Sequence, residues 1–222
     1  MRMPPLTTER LLIREFVAGD LDAVHRLLDV ELAGAATGAE GVLTLAARRR
    51  WLDWTVLNYE QLAYLRQPPY GDRAVALRST DEIVGACGLV PCLAPFEQIP
   101  DLRRSLAAPQ SVAAGPTAFT PEVGLYWAVA PAHRGRGYAT EAAAALIAYA
   151  FATLRLSRIV ATTSHDNAAS IGVMRKLGMR LTRNPFPEPL WLQTVGALDN
   201  PAVIVLTDYR TVQRVWAQRG RG

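Results

Sequence analysis

The feature that most constrains the fold is a strand-like run that leads through a glycine-containing turn into an alanine-rich helix. The run at 122–129 reads EVGLYWAV, and Pro131 after it ends strand pairing because proline has no N–H to donate. The turn RGRG then precedes a helix predicted from Thr140 to Leu154, whose alanines favour helix formation. A strand followed so closely by a helix requires a sheet with helices packed on it.

The remaining segments predict a compatible set of elements. Apolar runs bounded by turn residues predict strands, and apolar residues three and four apart predict helices. The predicted strands are 9–16, a pair within 73–91 around the turn 79–82, 157–164 and 202–207. The predicted helices are a first one capped by Asp20, a longer one over 44–65, one over 168–177 closed by Gly178, and a C-terminal one from Asp208 to Trp216. We expect one mixed α/β domain over residues 1–222, with a long loop or inserted excursion at 91–119.

The composition of the chain argues against a membrane span, a secretory signal and a metal site. Half of the residues are apolar and a fifth are charged, and because no uninterrupted apolar run reaches eighteen residues we expect no membrane span. The first residues lack the apolar core of a secretory signal, so the expected location is the cytoplasm. Cys87 and Cys92 have no matching His/Cys pair, which predicts reduced thiols and no metal site.

The net charge of +4 raises nucleic-acid binding as one function class. Lys176 is the only lysine, and the densest basic run, at 48–50, lies in a predicted helix, where a solvated face is the simpler explanation. No basic motif with interleaved aromatic residues supports a nucleic-acid partner, so we rank this class last. A mild positive charge also suits an anionic cofactor.

The glycine turn predicts an anion site. Gly135 and Gly137 permit backbone angles and close approaches that a side chain would forbid. Successive N–H groups from Arg134 to Thr140 would then point into one concavity at a helix N-terminus, which suits a diphosphate. A glycine turn that merely joins a strand to a helix is an equally good interpretation of this segment alone. The turn is neither the dinucleotide fingerprint, which needs glycine in place of Thr140, nor a P-loop, which needs Gly-Lys-Ser/Thr.

Three stretches, taken in order, resemble a known family. Residues 134–139, RGRGYA, are similar to the Arg/Gln-x-x-Gly-x-Gly/Ala signature of the GNAT superfamily of N-acetyltransferases. TERLLIREF…GDLDAVHRLL, GLYWAVAPAHRGRGYATEA and DNAASIGVMRKLGM resemble its ribosomal-protein-alanine acetyltransferase (RimJ/RimL-like) branch. The resemblance implies a single GNAT-type α/β (α+β) domain. Its central, mixed, mostly antiparallel twisted sheet would have about six to seven strands flanked by helices.

The resemblance also implies acetyl-CoA as the acyl donor. In that family the strand before the turn pairs with the pantetheine arm and holds the acetyl carbonyl, and the turn binds the pyrophosphate. For this chain the resemblance assigns the arm and the carbonyl to Trp127, Ala128 and Val129. It assigns the diphosphate to Arg134, Gly135, Arg136, Gly137, Tyr138, Ala139 and Thr140. A pantetheine arm can add to a strand edge as an extended peptide does, and an N–H aimed at the thioester oxygen acts as an oxyanion hole.

Asn167 and Ser170 form a second predicted element of the cofactor site. Asn167 suits a helix N-cap, whereas the resemblance gives its amide a hydrogen bond to the pantetheine arm, the interpretation we favour. Ser170 faces the same side three residues later, and in the resembled branch it lies near the thiol and could donate to the leaving thiolate. Many members of the superfamily carry a tyrosine seven residues after the asparagine, which acts as the general acid. This chain has Met174 there, so the general acid is Ser170, a water or absent.

Glu122 is the candidate general base. An alkylammonium must lose a proton before its nitrogen attacks a thioester, so a proton acceptor is needed. Strand alternation puts Glu122 and Tyr126 on one face, and the superfamily often has a glutamate near this position. An exposed strand-end carboxylate is the alternative interpretation. His133, His165 and Asp166 are the next candidates.

The sequence therefore predicts an acetyl-CoA-dependent N-acetyltransferase. It would move an acetyl group directly, in a ternary complex, to a primary amine of a protein N-terminus or a small molecule. We expect the acceptor to contact the first helices, 91–119 and 184–191, and we interpret the aromatic residues of the second helix as core (Trp51, Trp54, Tyr59 and Tyr64). A homodimer is a further expectation from the resemblance. The alternative function is a non-catalytic acyl-CoA-binding regulatory module.

Overall fold

The computed structural model describes residues 1–33, 41–102 and 119–203. Within these ranges one sheet has eight strands in the spatial order β1-β2-β3-β4-β5-β6-β8-β7. The strands are β1 (Leu6–Thr7), β2 (Leu11–Arg14), β3 (Gly71–Leu77), β4 (Ile83–Ala94), β5 (Thr120–Val129), β6 (Arg158–Thr163), β7 (Arg180–Arg183) and β8 (Thr194–Asp199).

Four α-helices accompany the sheet in the described residues. They are α1 (Leu21–His25), which continues into a wider π-helical stretch at Arg26–Glu31, α2 (Leu45–Tyr64), α3 (Tyr138–Ala152) and α4 (Ala168–Lys176). Thr44 caps α2 by accepting a hydrogen bond from the Ala47 N–H at 3.3 Å. Gly178, with a φ of +75°, supplies the left-handed residue that commonly ends a helix such as α4.

The pairing of β5 with β6 is the only parallel contact recorded within the described sheet, and all other neighbouring strands run antiparallel. The parallel contact is confined to Gly124 opposite Val160. Beyond this pair the two strands separate toward their C-terminal ends. A separation inside a sheet leaves main-chain groups of one strand without a neighbouring strand to bond.

Both faces of the sheet are covered, because successive side chains of a strand point to opposite sides. On one face α3 and α4 pack against residues such as Leu125 and Ile159, and Met174 of α4 is fully buried there. On the other face α1 and α2 cover Ala86 and Ala128. Short 3-10 turns at Phe96–Gln98 and Pro100–Leu102 cover the part of that second face that carries Val160, Val195 and Ala197.

The predicted fold class is confirmed, with eight strands rather than six or seven. The predicted strand pair within 73–91, the strand over 122–129 and the helices over 44–65 and 168–177 are all present. The additional strands are β1, β7 and β8, which lie in segments that carry little apolar alternation.

The predicted loop at 91–119 is wrong for residues 91–94, which continue β4 and pair with the first residues of β5. Pro91 is tolerated there because of strand alternation. The Ala130 N–H donates to the Val84 carbonyl, so even-numbered residues of β4 face β5 and the missing N–H of Pro91 points away from it. On that other side β3 pairs only as far as Leu89, so no ladder bond is lost. Residues 103–118 lie outside the described residues.

Three further predictions have mixed outcomes. The strand at 202–207 and the helix from Asp208 lie almost entirely outside the described residues, and residues 202 and 203 form a turn after β8. Asp20 precedes α1 but does not cap it with its side chain, because its carboxylate binds Arg14 at 2.7 and 3.0 Å. The core interpretation is right for the buried Tyr59 and wrong for Trp54 and Tyr64, which are 63% and 81% exposed.

Candidate active site

A cleft opens where β5 and β6 separate. It has a volume of about 710 Å³ and lies between the end of β5, the turn before α3 and the start of α4. All of the predicted cofactor residues except Arg136 line it: Trp127, Ala128, Val129, Arg134, Gly135, Gly137, Tyr138, Ala139, Thr140, Asn167 and Ser170. A cleft of this volume is typical of a small-molecule or cofactor site.

The main chain of β5 directs alternate amides into this cleft. The Ala130 N–H donates to the Val84 carbonyl at 2.9 Å, so the Ala130 amide points toward β4. Alternate residues of a strand point the same way, which also directs the Ala128 amide toward β4. The amides of Trp127 and Val129 therefore point away from β4 and into the space that β6 has left. Amides in this position can donate to an extended ligand along a strand edge.

The turn that follows β5 depends on two glycines. Gly135 and Gly137 have φ angles of +74° and +84°, in the left-handed region that residues with a Cβ rarely adopt. A Cβ on Gly137 would also lie 3.4 Å from the Arg10 Nη2 atom. The sequence RGRG thus forms a tight turn that delivers the chain directly into α3.

The N-terminus of α3 forms one wall of the cleft. The first intrahelical bond runs from the Glu141 N–H to the Gly137 carbonyl at 3.0 Å, so the preceding amides have no acceptor within the helix. These amides belong to Tyr138, Ala139 and Thr140, which all line the cleft. Unpaired donors at the positive end of a 15-residue helix attract an anion, and the Arg134 side chain lies beside them.

A polar clamp fixes the glycine turn to the N-terminal strands. The Glu141 carboxylate accepts hydrogen bonds from the Thr8 hydroxyl at 2.6 Å, the Arg10 N–H at 3.0 Å and the Arg10 Nε atom at 2.8 Å. Arg10 also donates from Nη1 to the Arg136 carbonyl at 2.9 Å. Burial works to raise the pKa of Glu141, but hydrogen bonds from Thr8 and Arg10 outweigh it and lower that pKa.

Asn167 is the N-cap of α4, which is one of the two interpretations that the sequence left open. Its Oδ1 atom accepts a hydrogen bond from the Ser170 N–H at 3.0 Å and so caps α4. The cap uses only the amide oxygen, so the Asn167 NH₂ group remains a donor at the cleft wall. Ser170 lines the same wall one turn further along α4.

Met174 is the residue of α4 whose side chain is fully buried in the core. Its sulfur would lie 3.1 Å from a Cβ placed on Gly196, so the side chain is packed against β8 and does not face the cleft. The position that carries a tyrosine in many members of the superfamily is therefore a core position in this chain.

Glu122 lies on β5 but is not among the residues that line the cleft. It is 9% exposed, and its carboxylate is 3.9 Å from the guanidinium of Arg158 on β6. It shares a face of the sheet with Tyr126 and is separated from Trp127 by five residues of strand, about 17 Å. A proton taken up by Glu122 would therefore have to travel through solvent or an intervening group.

The two candidate histidines occupy different places. His133 lines the cleft, and its Nε2 atom is 3.6 Å from the Glu82 carboxylate. The His165 ring is held by the Thr194 hydroxyl at 2.8 Å, and the His165 N–H donates to the Gln193 side chain at 3.0 Å. Asp166, the remaining candidate, lines the cleft and accepts a hydrogen bond from Ser164 at 2.5 Å.

Sequence reasoning did not assign a function to Thr8, Arg10 or Lys176. Thr8 and Arg10 lie about 130 positions before Glu141, and no local pattern links them. Lys176 lines the cleft from the end of α4, and its being the only lysine was the one available signal.

Two kinds of feature are absent from the described ranges. In 1–33, 41–102 and 119–203 no helix has the length and apolar character needed to cross a membrane. The same residues contain no group of three or more His, Cys, Asp or Glu side chains arranged to hold a metal ion.

Comparison with known proteins adds independent findings. The family model described as "Acetyltransferase (GNAT) domain" matches residues 10–180. The "Uncharacterized N-acetyltransferase YnaD" of Bacillus subtilis (strain 168) is 44% identical over 61 residues, which are 28% of this chain and 35% of YnaD. The "Uncharacterized N-acetyltransferase YoaA" of the same strain is 25% identical over 178 residues, 80% of this chain and 83% of YoaA.

Among solved structures, RimL, a ribosomal L7/L12 alpha-N-protein acetyltransferase in complex with coenzyme A, superimposes with a TM-score of 0.61. The alignment covers 90% of this chain and 100% of that one at 13% identity, which is a likeness of fold. The family match spans well over half of the sequence, so this chain belongs to the GNAT acetyltransferase family, a family of acyltransferase enzymes.

Proposed function

We propose that this protein is an acetyl-CoA-dependent N-acetyltransferase of the RimJ/RimL-like branch. Its acceptor would be a primary amine, either a protein N-terminus or a small molecule. The observation that carries the proposal is the cleft between β5 and β6, where inward-pointing strand amides and a glycine turn meet. The fold likeness to RimL in complex with coenzyme A supports the branch.

The residues of the cleft fit the donor in three ways. The α3 N-terminus offers unpaired N–H groups to a pyrophosphate, and Arg134 adds positive charge. The amides of Trp127 and Val129 lie along an open strand edge, where an extended amide-containing arm can bond. The Asn167 NH₂ group faces that arm from the opposite wall. Arg136 is exposed outside the cleft, and we propose that it adds charge for the phosphates there.

Acetyl-CoA supplies an acetyl group activated as a thioester. We propose that the strand amides orient it and that the Trp127 N–H stabilises the negative charge that develops on the carbonyl oxygen. The acceptor nitrogen forms the new bond to the carbonyl carbon as the bond from carbon to sulfur breaks. Glu122, through a water chain, takes the proton that the ammonium loses, and Ser170 donates a hydrogen bond to the departing sulfur.

Turnover assays test this proposal directly. We expect the purified protein with acetyl-CoA to release free thiol when given a peptide with an unblocked N-terminal alanine or 1,4-diaminobutane. Glu122→Gln should lower kcat by about 10²-fold, within the usual range for loss of a general base. No binding of coenzyme A at millimolar concentration would contradict the proposal.

A non-catalytic acyl-CoA-binding module is the second candidate. It is favoured by the burial of Met174 in the core and by the position of Glu122 beside Arg158 outside the cleft. This candidate predicts coenzyme A binding without thiol release from any amine. It also predicts that Glu122→Gln and Ser170→Ala have no effect on activity.

A further inference from the structure

Asp72 is the second residue of β3 and lies close to α2, whose Tyr59 donates a hydrogen bond to its main-chain carbonyl. On this face α1 and α2 cover Ala86 and Ala128, and the 3-10 turns after β4 cover Val160. The strand register places Asp72 opposite Gly88 of β4, and Gly88 opposite Tyr126 of β5, which packs against the part of the core that α1 and α2 cover. Residues directly opposite one another share a face, so Asp72 and Tyr126 point to the same side.

Gly88 keeps the space between them free of a side chain. A Cβ at this position would lie 2.6 Å from the Gly71 carbonyl oxygen and 3.0 Å from the Asp72 Cα, so the close approach of β3 and β4 requires glycine. Two interstrand spacings separate the Asp72 and Tyr126 backbones, about 10 Å. No side chain of β4 therefore stands between the carboxylate and the phenol.

The Asp72 carboxylate has no hydrogen bond or ion pair within the part of the chain that the structure describes. Its main-chain carbonyl is well bonded, since it accepts from the Tyr59 hydroxyl at 2.5 Å and from Arg73 at 2.9 Å. The side chain itself is only partly exposed. A carboxylate in such a position without a partner reduces stability, and proteins commonly keep such groups where a ligand provides the partner.

The nearby cations are engaged elsewhere. Arg48 forms a two-point pair with Asp29 at 2.7 and 2.8 Å. Arg73 is 1% exposed and donates to main-chain carbonyls, including that of Pro69 at 3.4 Å. Both arginines influence the Asp72 carboxylate through space without contacting it.

The titratable groups around Asp72 determine its charge. They are Tyr59 and Arg48 of α2, Arg73 of β3, Cys87 of β4 and Tyr126 of β5. Burial raises the pKa of Asp72 to about 6, although the charges of Arg73 and Arg48 oppose that rise. Burial, together with Asp72, raises the pKa of Tyr126. Near neutral pH the pair is therefore an ionised carboxylate beside a protonated phenol.

We propose that the Asp72 carboxylate and the Tyr126 hydroxyl form the binding site for the cationic amino group of the acceptor. The inference rests on the proposed function and adds the chemistry that recognises its acceptor. Tyr126 immediately precedes Trp127, whose amide points into the cleft, so an amine held by this pair lies next to the donor end of the cleft. A carboxylate selects a protonated primary amine over a neutral isostere.

A matched pair of probes tests the site. The protein saturated with coenzyme A is titrated with 1-hexylamine and with 1-hexanol, and binding is followed by nuclear magnetic resonance. We expect the amine to bind at least about tenfold more tightly than the alcohol, as a charge-assisted hydrogen bond provides. Hexylamine stays protonated between about pH 5 and pH 8, because the pKa of a primary alkylamine lies above that range. The preference should therefore weaken as the pH falls through the Asp72 pKa of about 6.

Two variants decide the outcome. Asp72→Asn should abolish the preference for the amine while coenzyme A still binds, and Tyr126→Phe should weaken it several-fold. Asp53→Asn, at an exposed carboxylate of α2, should retain it. Equal binding of amine and alcohol by the wild type, or an undiminished preference in Asp72→Asn, contradicts this inference. Failure of coenzyme A to bind contradicts the proposed function instead, because the amine preference does not depend on the glycine turn.

Discussion

At the scale of single residues, Gly137 is the position in the candidate site with the strictest backbone requirement. Its φ of +84° places a left-handed residue directly before the helix whose amides line the cleft. Any residue with a Cβ is strained there by about 1–2 kcal/mol, and a branched one more. The same φ occurs at Gly41, which is not among the residues that line the cleft.

Gly137→Val should therefore weaken coenzyme A binding by more than tenfold, about 1.4 kcal/mol. The physical reason is that the turn must shift to relieve strain and the contact with Arg10, which misaligns the α3 amides. Gly41→Val, with a φ of +83° at the wild-type position, is the matched control and should leave binding unchanged. Calorimetric titration with coenzyme A distinguishes them, and equal affinity of the two variants would show that the turn does not hold the donor.

The raised pKa of Asp72 predicts how the stability of the protein depends on pH. Its ordinary carboxyl pKa of 3.8 is raised to about 6 in the folded protein. The folded state therefore binds the proton more tightly, and the wild type loses stability as the pH rises from about 4 through 6, by on the order of 3 kcal/mol. Asp72→Asn lacks this loss. Its free energy of unfolding should therefore rise relative to that of the wild type between about pH 4 and pH 6, and the difference should stay constant at higher pH.

Urea unfolding at pH 4 and pH 8 measures this difference. Asp53→Asn, an exposed carboxylate on α2, should follow the wild type at both values. If the free energy of unfolding changed equally between pH 4 and pH 8 for Asp72→Asn and the wild type, the Asp72 carboxylate would not be destabilised by its surroundings.

The residue scale also shows the limits of sequence reasoning. The glycine turn was predictable because glycine pairs, a preceding proline and a following helix lie within ten positions. Asp72 has no distinguishing neighbours in sequence, and its position opposite Tyr126 follows only from the register of β3, β4 and β5. Asn167 was predictable in kind, but only the structure shows that its oxygen caps α4 and its NH₂ group remains a donor.

At the scale of elements, the N-terminal strands hold the start of α3 in place. Arg10 joins the Glu141 carboxylate to the Arg136 carbonyl, so β2 and the glycine turn are linked through one guanidinium. Arg10→Gln removes the ion pair and should raise the Kd for coenzyme A several-fold, because the turn loses its orientation. Arg2→Gln, which breaks the comparable surface pair with Glu15, should leave the Kd unchanged. An equal effect of both variants would assign the change to surface charge alone.

Element boundaries show why part of the fold was predictable. The long helices were predictable because one run lacks glycine and proline and the other is rich in alanine, and the central strands because they are apolar runs bounded by turn residues. The positions of these elements agree with expectation. β7 and β8 carry short, partly polar sequences, RLTR and TVGALD, which form strands because they pair with each other and with β6. A proline such as Pro91 normally indicates that a segment is not a strand. In this structure β4 includes Pro91, at a position where β3 no longer pairs and no hydrogen bond from its nitrogen is required.

At the scale of the whole molecule, the separation of β5 and β6 connects the donor cleft with the proposed acceptor site. The two strands touch at Gly124 and Val160 and then diverge, so one strand, β5, contributes to both sites. Its odd-numbered amides beyond this point face the cleft, whereas the Tyr126 side chain lies on the sheet face that carries Asp72. A donor and an acceptor can therefore meet across a single strand.

Hydrogen exchange of the β5 amides, measured with and without saturating coenzyme A, tests the central claim most directly. The Ala128 amide is directed at β4, so it should exchange slowly in both states. The Trp127 and Val129 amides, together with those of Tyr138, Ala139 and Thr140, should slow by at least about tenfold when coenzyme A is bound. Unchanged exchange at Trp127 and Val129 in the presence of bound coenzyme A would contradict the account.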